Sequence, residues 1–449
     1  MIVKIPASLE RFCETIHSGL TAGQRKVLPV ILAGILLCGG RRSLAGLGRA
    51  VVTERRNRAS LSKLLRRNRF RTRDLYDEAA QRMIEAQPVA GSGRRLWFLV
   101  LDGVATKRGG FTQIENARQY KVSRRTKKSG TPSTKSHTFV MGLLLTDRGV
   151  RIPLARRTWR TKEYCRTHKK KFLKQTELAQ VMIRSLRLPM GVDLIVLADG
   201  YFEGTWLHEV CTELGYTYIA PASSSRCFAN GKGKSNGQSL HARGRGLPPR
   251  GLEKRTLVQG SEDTARYRRY VQRKHGAQRR YRFSHEVQAV AGLGPTGIVY
   301  SWKSPSFRPR RDDRTESFKV LLTNHLELTG AQIIEYYELR WQIELWFREL
   351  KSHLGLADYT GTDFAAFERH IDLVLLGFLF LEQHRLDLIR AAGSRRRSGE
   401  LAAMRITALK QELAAEAAEG DLAYLSRLLR SPEGRETVLQ LYAQMRKVA

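Results

Sequence analysis

Apolar residues at the start of the chain recur at helical spacing. The segment GQRKVLPVILAGILLCGG predicts a buried helix that ends at Gly39 and Gly40, where a positive φ is cheap. Two short helices follow on either side of a basic turn, SLAGLGRAVV and SLSKLLRR, with Ser43 and Ser60 as predicted N-caps. This pattern is compatible with a helix-turn-helix, and equally with a helical bundle that has a solvated basic face.

From about residue 96 the pattern changes to one typical of strands alternating with helices. Continuous apolar runs ending in Asp-Gly predict buried strands at 96–103 and 193–200. Residues 138–159 predict a hairpin that turns at Asp147–Gly149, and 216–221 a further strand. Amphipathic helices are predicted at 176–186 and 204–215. Such alternation predicts an α/β sheet with parallel pairings.

The next part of the chain is basic and β-leaning. Residues 222–260 are rich in Ser, Gly and Arg, which predicts a mobile excursion, and 266–283 interleave Arg with Tyr. Short strand-like runs follow in VQAVAG, GIVYSW and FKVLLTN, and helical spacing returns at Ala331.

Charge narrows the class of partner. The chain has 449 residues, with 79 Lys and Arg against 42 Asp and Glu, a net charge of +37. Its 42% hydrophobic content is that of a core-forming chain and not of a disordered one. No apolar run reaches the roughly 20 residues of a membrane span, and no signal peptide is recognised. Five cysteines at scattered spacings indicate reduced thiols inside a cell. Nucleic acid is therefore the expected partner.

The helix predicted at 331–355 has two distinct faces. Five positions, Tyr337, Arg340, Glu344, Arg348 and Lys351, lie within roughly 80° of one another around the helix axis. An apolar ridge lies on the opposite side, formed by Leu339, Ile343, Trp346, Leu350 and Leu354. Alone, this pattern is also that of an ordinary amphipathic helix with a charged solvent face.

Two acidic residues directly follow buried strands. Asp102 follows WFLVL and Asp199 follows LIVLA. Each alone is compatible with turn chemistry, since Asp-Gly is a common turn pair. Together with Glu344 they could instead supply the hard oxygen ligands with which phosphodiester chemistry holds Mg²⁺.

The spacing Tyr337-x2-Arg340-x3-Glu344-x6-Lys351 resembles the Y-R-E-K signature of bacterial insertion-sequence transposases of the DDE type. Asp102 in LVLDG and Asp199 in LADGYF resemble the first two catalytic acids of that family. The resemblance implies an α/β ribonuclease-H-like core interrupted by a mostly β insertion and flanked by helical regions. The domain boundaries then expected are 1–90 for a basic DNA-binding domain, 91–221 and 329–356 for the two parts of the core, 222–328 for the insertion, and 357–449 for a C-terminal helical region.

The same resemblance implies a role for each matched residue. Asp102, Asp199 and Glu344 would hold two Mg²⁺ ions, with Mn²⁺ as a substitute, and Tyr337, Arg340 and Lys351 would contact DNA phosphates. Arg348 shares the charged stripe and is expected to be a lesser phosphate contact. Trp302 is expected either to stack on an extruded base or to pack in the core beside GIVY. The basic runs 123–130 and 168–174 are expected to contact the DNA backbone.

The function expected from this resemblance is DNA transposition. The enzyme would cut double-stranded DNA at terminal inverted repeats and transfer the 3′-OH into target DNA, acting as a homodimer in the bacterial cytoplasm, in association with the nucleoid. Two alternatives remain open: a domesticated DNA-binding protein of the same fold without catalysis, and a metal-dependent nuclease that cuts without joining.

Overall fold

The computed structural model describes residues 2–16, 19–40, 42–67, 69–87, 95–108, 114–120, 134–248, 252–257, 279–304 and 317–446. The N-terminal helices are α1 (Ala7–Thr15), α2 (Ala22–Leu37), α3 (Leu44–Arg49), α4 (Arg58–Arg66) and α5 (Thr72–Glu85). Helices between the strands are α6 (Lys162–Thr167), α7 (Gln175–Arg184), α8 (Thr205–Glu213) and α9 (Leu240–Arg245). The C-terminal part contains α10 (Gly330–Tyr337), α11 (Trp341–His353), α12 (Phe364–Ala391), α13 (Arg395–Ala402), α14 (Ile406–Leu428) and α15 (Pro432–Arg446).

One mixed sheet joins all the described strands. They are β1 (Arg95–Arg108), β2 (Arg118–Tyr120), β3 (Thr134–Leu145), β4 (Arg151–Pro153), β5 (Arg157–Thr158), β6 (Val192–Ala198), β7 (Thr217–Pro221), β8 (Cys227–Ala229), β9 (Ser235–Ser239), β10 (Glu253–Leu257), β11 (Arg279–Val290), β12 (Gly294–Ser304) and β13 (Ser317–Thr323). The main strand order is β2-β3-β1-β6-β7-β13-β12-β11-β8-β9, with β4 and β5 paired to β3 and β10 to β11. The predicted mixed α/β sheet is confirmed.

The centre of the sheet contains the predicted parallel pairs. Strand β6 runs parallel to both β1 and β7, while β1 pairs antiparallel with β3 on its other edge. The apolar residues of β1 from Trp97 to Leu101 are fully buried, as their continuous run predicted. The predicted hairpin is also present: β3 pairs with β4, and Gly149 in the connecting turn has φ of 72°.

The β strands predicted after residue 222 continue this same sheet. Strands β11, β12 and β13 form an antiparallel meander, and β13 pairs with β7. The mobile excursion expected at 222–260 is wrong for its described residues, which form β8, β9, α9 and β10. Helix α9 is fixed because Leu240 is fully buried and Gly244 packs directly on Tyr300 and Phe318.

The N-terminal helices differ from the prediction at one cap. Ser43 caps α3 as expected, accepting a hydrogen bond from the N–H of Gly46. Helix α4 is capped by Asn57 and not by Ser60, whose hydroxyl donates to the Asn57 carbonyl from inside the first turn. Asn is as effective a cap as Ser, so the helix begins earlier. Helices α3 and α4 pack on each other, as both the helix-turn-helix and the bundle interpretation require.

The helix predicted at 331–355 is interrupted. A 3₁₀ turn, Glu338–Arg340, separates α10 from α11. Because a 3₁₀ helix turns about 120° per residue instead of 100°, three such residues rotate the later face by roughly 60° relative to the prediction. The predicted apolar ridge is nevertheless fully buried at all five positions. The predicted charged stripe is not uniform, since Tyr337 is buried.

Several other expectations concern the chain as a whole. None of the described helices is long and apolar enough to cross a membrane. All five cysteines lie in the described ranges and are free thiols, so the expectation of no disulfide framework is confirmed. The basic run 123–130, and most of the Arg- and Tyr-rich segment 266–283, lie outside the described residues.

Candidate active site

The register of the parallel strands brings the first two acids together. Leu101 on β1 pairs with Ala198 on β6, so Asp102 and Asp199 follow at equivalent positions on neighbouring strands. Parallel strands lie about 4.8 Å apart, and their backbones therefore fix these two residues side by side. Asp102 does not end its strand as predicted, because β1 continues to Arg108 through its antiparallel pairing with β3.

Both aspartates also make the local hydrogen bonds expected of turn residues. Asp199 Oδ1 accepts from the N–H groups of Tyr201 and Phe202, at 3.0 and 3.3 Å. Asp102 Oδ1 accepts from the N–H of Gly103 at 2.7 Å. The turn interpretation of Asp199 is thus correct as local geometry. These contacts also hold each carboxylate in a fixed orientation, which any ligand role would need.

Arg340 lies between Asp102 on β1 and Glu344 on α11 and contacts both. Its Nη2 lies 2.5 Å from Glu344 Oε1 and its Nη1 lies 3.6 Å from Asp102 Oδ2. The side chains of Arg340, Asp102 and Glu344 are 16%, 17% and 33% exposed, so solvent screens these contacts only in part. Glu344 is in the first turn of α11, one turn after Arg340.

The protonation equilibrium of Asp102 shows that the acids share one electrostatic environment. Burial, together with the negative charges of Asp199 and Glu344, raises the pKa of Asp102 to about 6. The Gly103 N–H and the Arg340 guanidinium act in the opposite direction but do not cancel this effect. The negative charge of Asp102 is therefore costly at this position, and a cation beside it would reduce that cost.

The donors of this site suit a divalent cation in their chemistry, because carboxylate oxygens are the hard ligands such ions prefer. In the observed side-chain arrangement, however, two of them contact Arg340. Within the described ranges, no set of three or more His, Cys, Asp or Glu side chains is grouped so as to hold a metal ion. Binding a metal at Asp102, Asp199 and Glu344 therefore requires Arg340 to move.

The other residues of the predicted signature lie around this site in different environments. Burial raises the pKa of Tyr337 to about 12, and the charge of Asp199 adds to that rise. Arg340 has a raised pKa, because contacts with Glu344, Tyr337 and Asp102 outweigh the effect of burial. Arg348 and Lys351 are exposed on α11. Burial of its amine and the nearby Lys107 lower the pKa of Lys351.

Trp302 packs within the sheet layer. It lies on β12, is half-buried, and its ring centroid is 4.9 Å from that of Phe318 on the neighbouring strand. This contact is the one that the packing alternative predicts. The stacking of Trp302 on an extruded base stays a prediction.

Sequence reasoning missed Lys319 as a member of this site. Lys319 is on β13, with its Nζ 5.3 Å from the ring centroid of Tyr337. Burial and the positive charges of Arg340 and Lys303 lower its pKa. The available signal was a lysine inside the apolar run FKVLLTN, which interrupts an otherwise apolar strand.

A buried ion-pair network connects α11 to β4 and to α12. Arg151 on β4, 1% exposed, donates to Glu349 on α11 at 2.8 Å and to Glu382 on α12 at 3.2 Å. Arg385 on α12 donates to the same Glu382 oxygen at 3.3 Å. Glu349 points away from the charged stripe, as predicted. The network joins the sheet to both helices, and so positions the face that presents Glu344.

Comparison with known proteins identifies the family. A comparison with curated proteins gives no match. The family model described as DDE superfamily endonuclease matches residues 13–285, well over half of the chain. The matched range contains Asp102 and Asp199 and ends before Glu344 and the rest of the Y-R-E-K spacing. Enzymes of this superfamily act on DNA and generally use divalent metal ions. The chain therefore belongs to the DDE superfamily of endonucleases.

Proposed function

We propose that this protein is a Mg²⁺-dependent DNA transposase of the bacterial insertion-sequence type. The observation that carries the proposal is the placement of Asp102 and Asp199 on adjacent parallel strands, near enough to each other and to Glu344 that both raise the pKa of Asp102. A protein that only binds DNA has no use for two further acids that raise the pKa of Asp102 in this way.

In this proposal Asp102, Asp199 and Glu344 hold two Mg²⁺ ions, and Mn²⁺ can replace them. Bound there, the ions would activate the attacking oxygen and stabilise the leaving oxygen of the phosphodiester. The hydrogen bonds from Gly103, Tyr201 and Phe202 orient the two aspartates. The ion-pair network behind α11 holds the helix on which Glu344 lies.

The cations around the site are proposed to bind the DNA backbone. Arg340, Arg348 and Lys351 lie on or just before α11, and Lys319 adds a cation from β13. The net charge of +37 favours binding to double-stranded DNA, both at terminal inverted repeats and at the target. Tyr337 is proposed to contact a phosphate through its hydroxyl. The family resemblance further suggests a homodimer that holds two ends.

The direct test compares strand cleavage by the wild-type protein and by Glu344→Gln, on a duplex that carries the terminal inverted repeats of its own element. We expect cleavage with Mg²⁺ to fall at least about 100-fold, since loss even of a group that only supports a metal ligand costs 10–100-fold. Glu209→Gln, which neutralises an exposed acid on α8, is the matched control and should cleave normally. Equal cleavage by wild type and Glu344→Gln would refute the proposal.

The products of the same reaction separate the two alternatives. DNA binding without metal-dependent cleavage would favour a catalytically idle binding protein. Cleavage without any joined product would favour a nuclease that does not transfer strands. Joined products, with the 3′-OH of the cleaved end linked to target DNA, would support transposition.

A second prediction concerns Lys319. If the amine of Lys319 contacts a phosphate, Lys319→Gln should weaken binding to duplexes of any sequence and reduce the slope of log K against log[salt] by about one. Fluorescence anisotropy over a salt series measures both quantities. Lys319→Arg, which keeps the charge, should retain the slope, and an unchanged slope in Lys319→Gln would exclude the contact.

A further inference from the structure

We propose that Arg340 competes with divalent cations for Asp102 and Glu344, and that a DNA phosphate relieves this competition by drawing Arg340 away. Arg340 would thus be a positioning residue that makes DNA binding and metal binding cooperative. This inference rests on the proposed function of the site.

The first step is that Arg340 and a metal ion need the same oxygens. Arg340 Nη2 is 2.5 Å from Glu344 Oε1, and so occupies space from which a metal ion would approach that oxygen. Its Nη1 faces Asp102 Oδ2 at 3.6 Å. A guanidinium between these carboxylates excludes a cation sterically and repels it electrostatically. Contact with Arg340 and binding of a metal ion at these oxygens therefore exclude each other.

The second step is that Arg340 is held where it can change partners. It ends the 3₁₀ turn between α10 and α11, and such turns within helices often mark hinges. Its side chain is 16% exposed, so solvent and a ligand can reach part of it. The positive charge of Arg340 is near enough to Lys319 to help lower the pKa of that lysine. Two neighbouring cations make this position favourable for an anion.

The third step is that phosphate is a strong competitor for a guanidinium. Arginine binds phosphate through two parallel hydrogen bonds, whereas here its two nitrogens contact two different carboxylates and only one contact is short. Transfer of Arg340 to a phosphate would free Asp102 and Glu344 together. Because coupling between two ligands is reciprocal, a metal ion at the carboxylates should strengthen DNA binding by the same factor.

The test measures Mn²⁺ affinity at pH 7.5 by electron paramagnetic resonance, without any turnover. Without DNA, Arg340→Gln is expected to bind Mn²⁺ at least about fivefold more tightly than wild type, the lower end of ordinary coupling. Arg187→Gln, which removes the same charge from an exposed position between α7 and β6, is the matched control and should bind like wild type.

A short duplex of arbitrary sequence provides the second arm, with its own Mn²⁺ binding subtracted. The duplex should tighten Mn²⁺ binding by the wild-type protein at least fivefold and change that of Arg340→Gln much less. If Arg340→Gln does not fold, as judged by thermal melting, Arg340→Lys replaces it, since lysine cannot span both carboxylates; its DNA-free affinity should also exceed that of wild type.

The outcomes distinguish this inference from the function on which it rests. Equal Mn²⁺ affinity in Arg340→Gln and wild type, or equal gains in Arg340→Gln and Arg187→Gln, would overturn the competition while leaving the metal site intact. Absence of Mn²⁺ binding in every variant, with and without DNA, would overturn the metal site itself. A Glu344→Gln protein that binds Mn²⁺ as wild type does would also count against the site.

Discussion

Asp102→Asn is expected to abolish metal-dependent cleavage and, in the same molecule, to stabilise the folded chain at neutral pH. The loss of activity follows from the proposed role of Asp102 as a ligand, and should be at least as large as that of Glu344→Gln. The gain in stability follows from the cost of keeping this carboxylate charged where it is buried and has Asp199 and Glu344 nearby, which is why its pKa is about 6.

The pH dependence of this gain has a definite sign. An unfolded aspartate has a pKa near 3.9, so between about pH 4 and 6 the folded chain binds more protons at Asp102 than the unfolded chain does. The free energy of unfolding therefore falls as pH rises through that window. Asparagine is uncharged at every pH and has no such cost. The free energy of unfolding of Asp102→Asn should therefore exceed that of wild type by the full amount above about pH 7, and by nothing below about pH 4.

The expected gain is about 1–2 kcal/mol at pH 7.5. A shift of two pKa units corresponds to roughly 3 kcal/mol, and partial solvent access to the side chain reduces this figure. Thermal melting at pH 7.5 and pH 4 measures the difference, with Asp193→Asn, an exposed position on β6, as the control. A lower melting temperature for Asp102→Asn at pH 7.5 would contradict the expectation.

The largest loss of stability is expected from Arg151→Met. This change removes the guanidinium that both Glu349 and Glu382 contact in the interior, and an uncompensated buried charge costs about 3–5 kcal/mol. Because the network joins β4 to α11 and α12, cleavage should also fall even though Arg151 does not touch the site. The melting temperature and the denaturant midpoint measure the loss of stability.

The control for Arg151→Met is Arg390→Met on α12. Arg390 pairs with Asp387 at 3.0 Å, but both side chains are more than half exposed, and surface pairs of this kind contribute little. Its melting temperature should match that of wild type. If both variants melted alike, the buried network would have no special role in holding α11.

The strands and the buried helix face could be predicted because each is a local pattern. The apolar run of β1 fixes a buried strand, and the helical spacing from Leu339 to Leu354 fixes which side is buried. Asp102 and Asp199 each follow such an apolar run, and parallel pairing of the two runs places them at equivalent positions. Their ligand roles, and that of Glu344, stay predictions.

Features set by contacts between distant segments could not be predicted. The contact of Arg340 with Asp102 joins residues far apart in the chain, and the 3₁₀ turn at Glu338–Arg340 has no Pro or Gly to mark it. The position of α9 depends on Gly244 packing on Tyr300 and Phe318, which lie on strands that come much later in the chain. Asn57 and Ser60 are similarly effective capping residues, so the local sequence does not determine at which of them α4 begins.

The pairing of β13 with β7 limits how residues 222–328 can be removed, by engineering or in evolution. Excising residues 222–328 as though they were a separate module would remove β13, one of the two neighbours of β7, and leave an open row of amide and carbonyl groups along β7. Such an exposed edge invites intermolecular strand addition and aggregation. A shortened homologue would therefore have to gain a new covering for that edge in the same step in which it lost the old one.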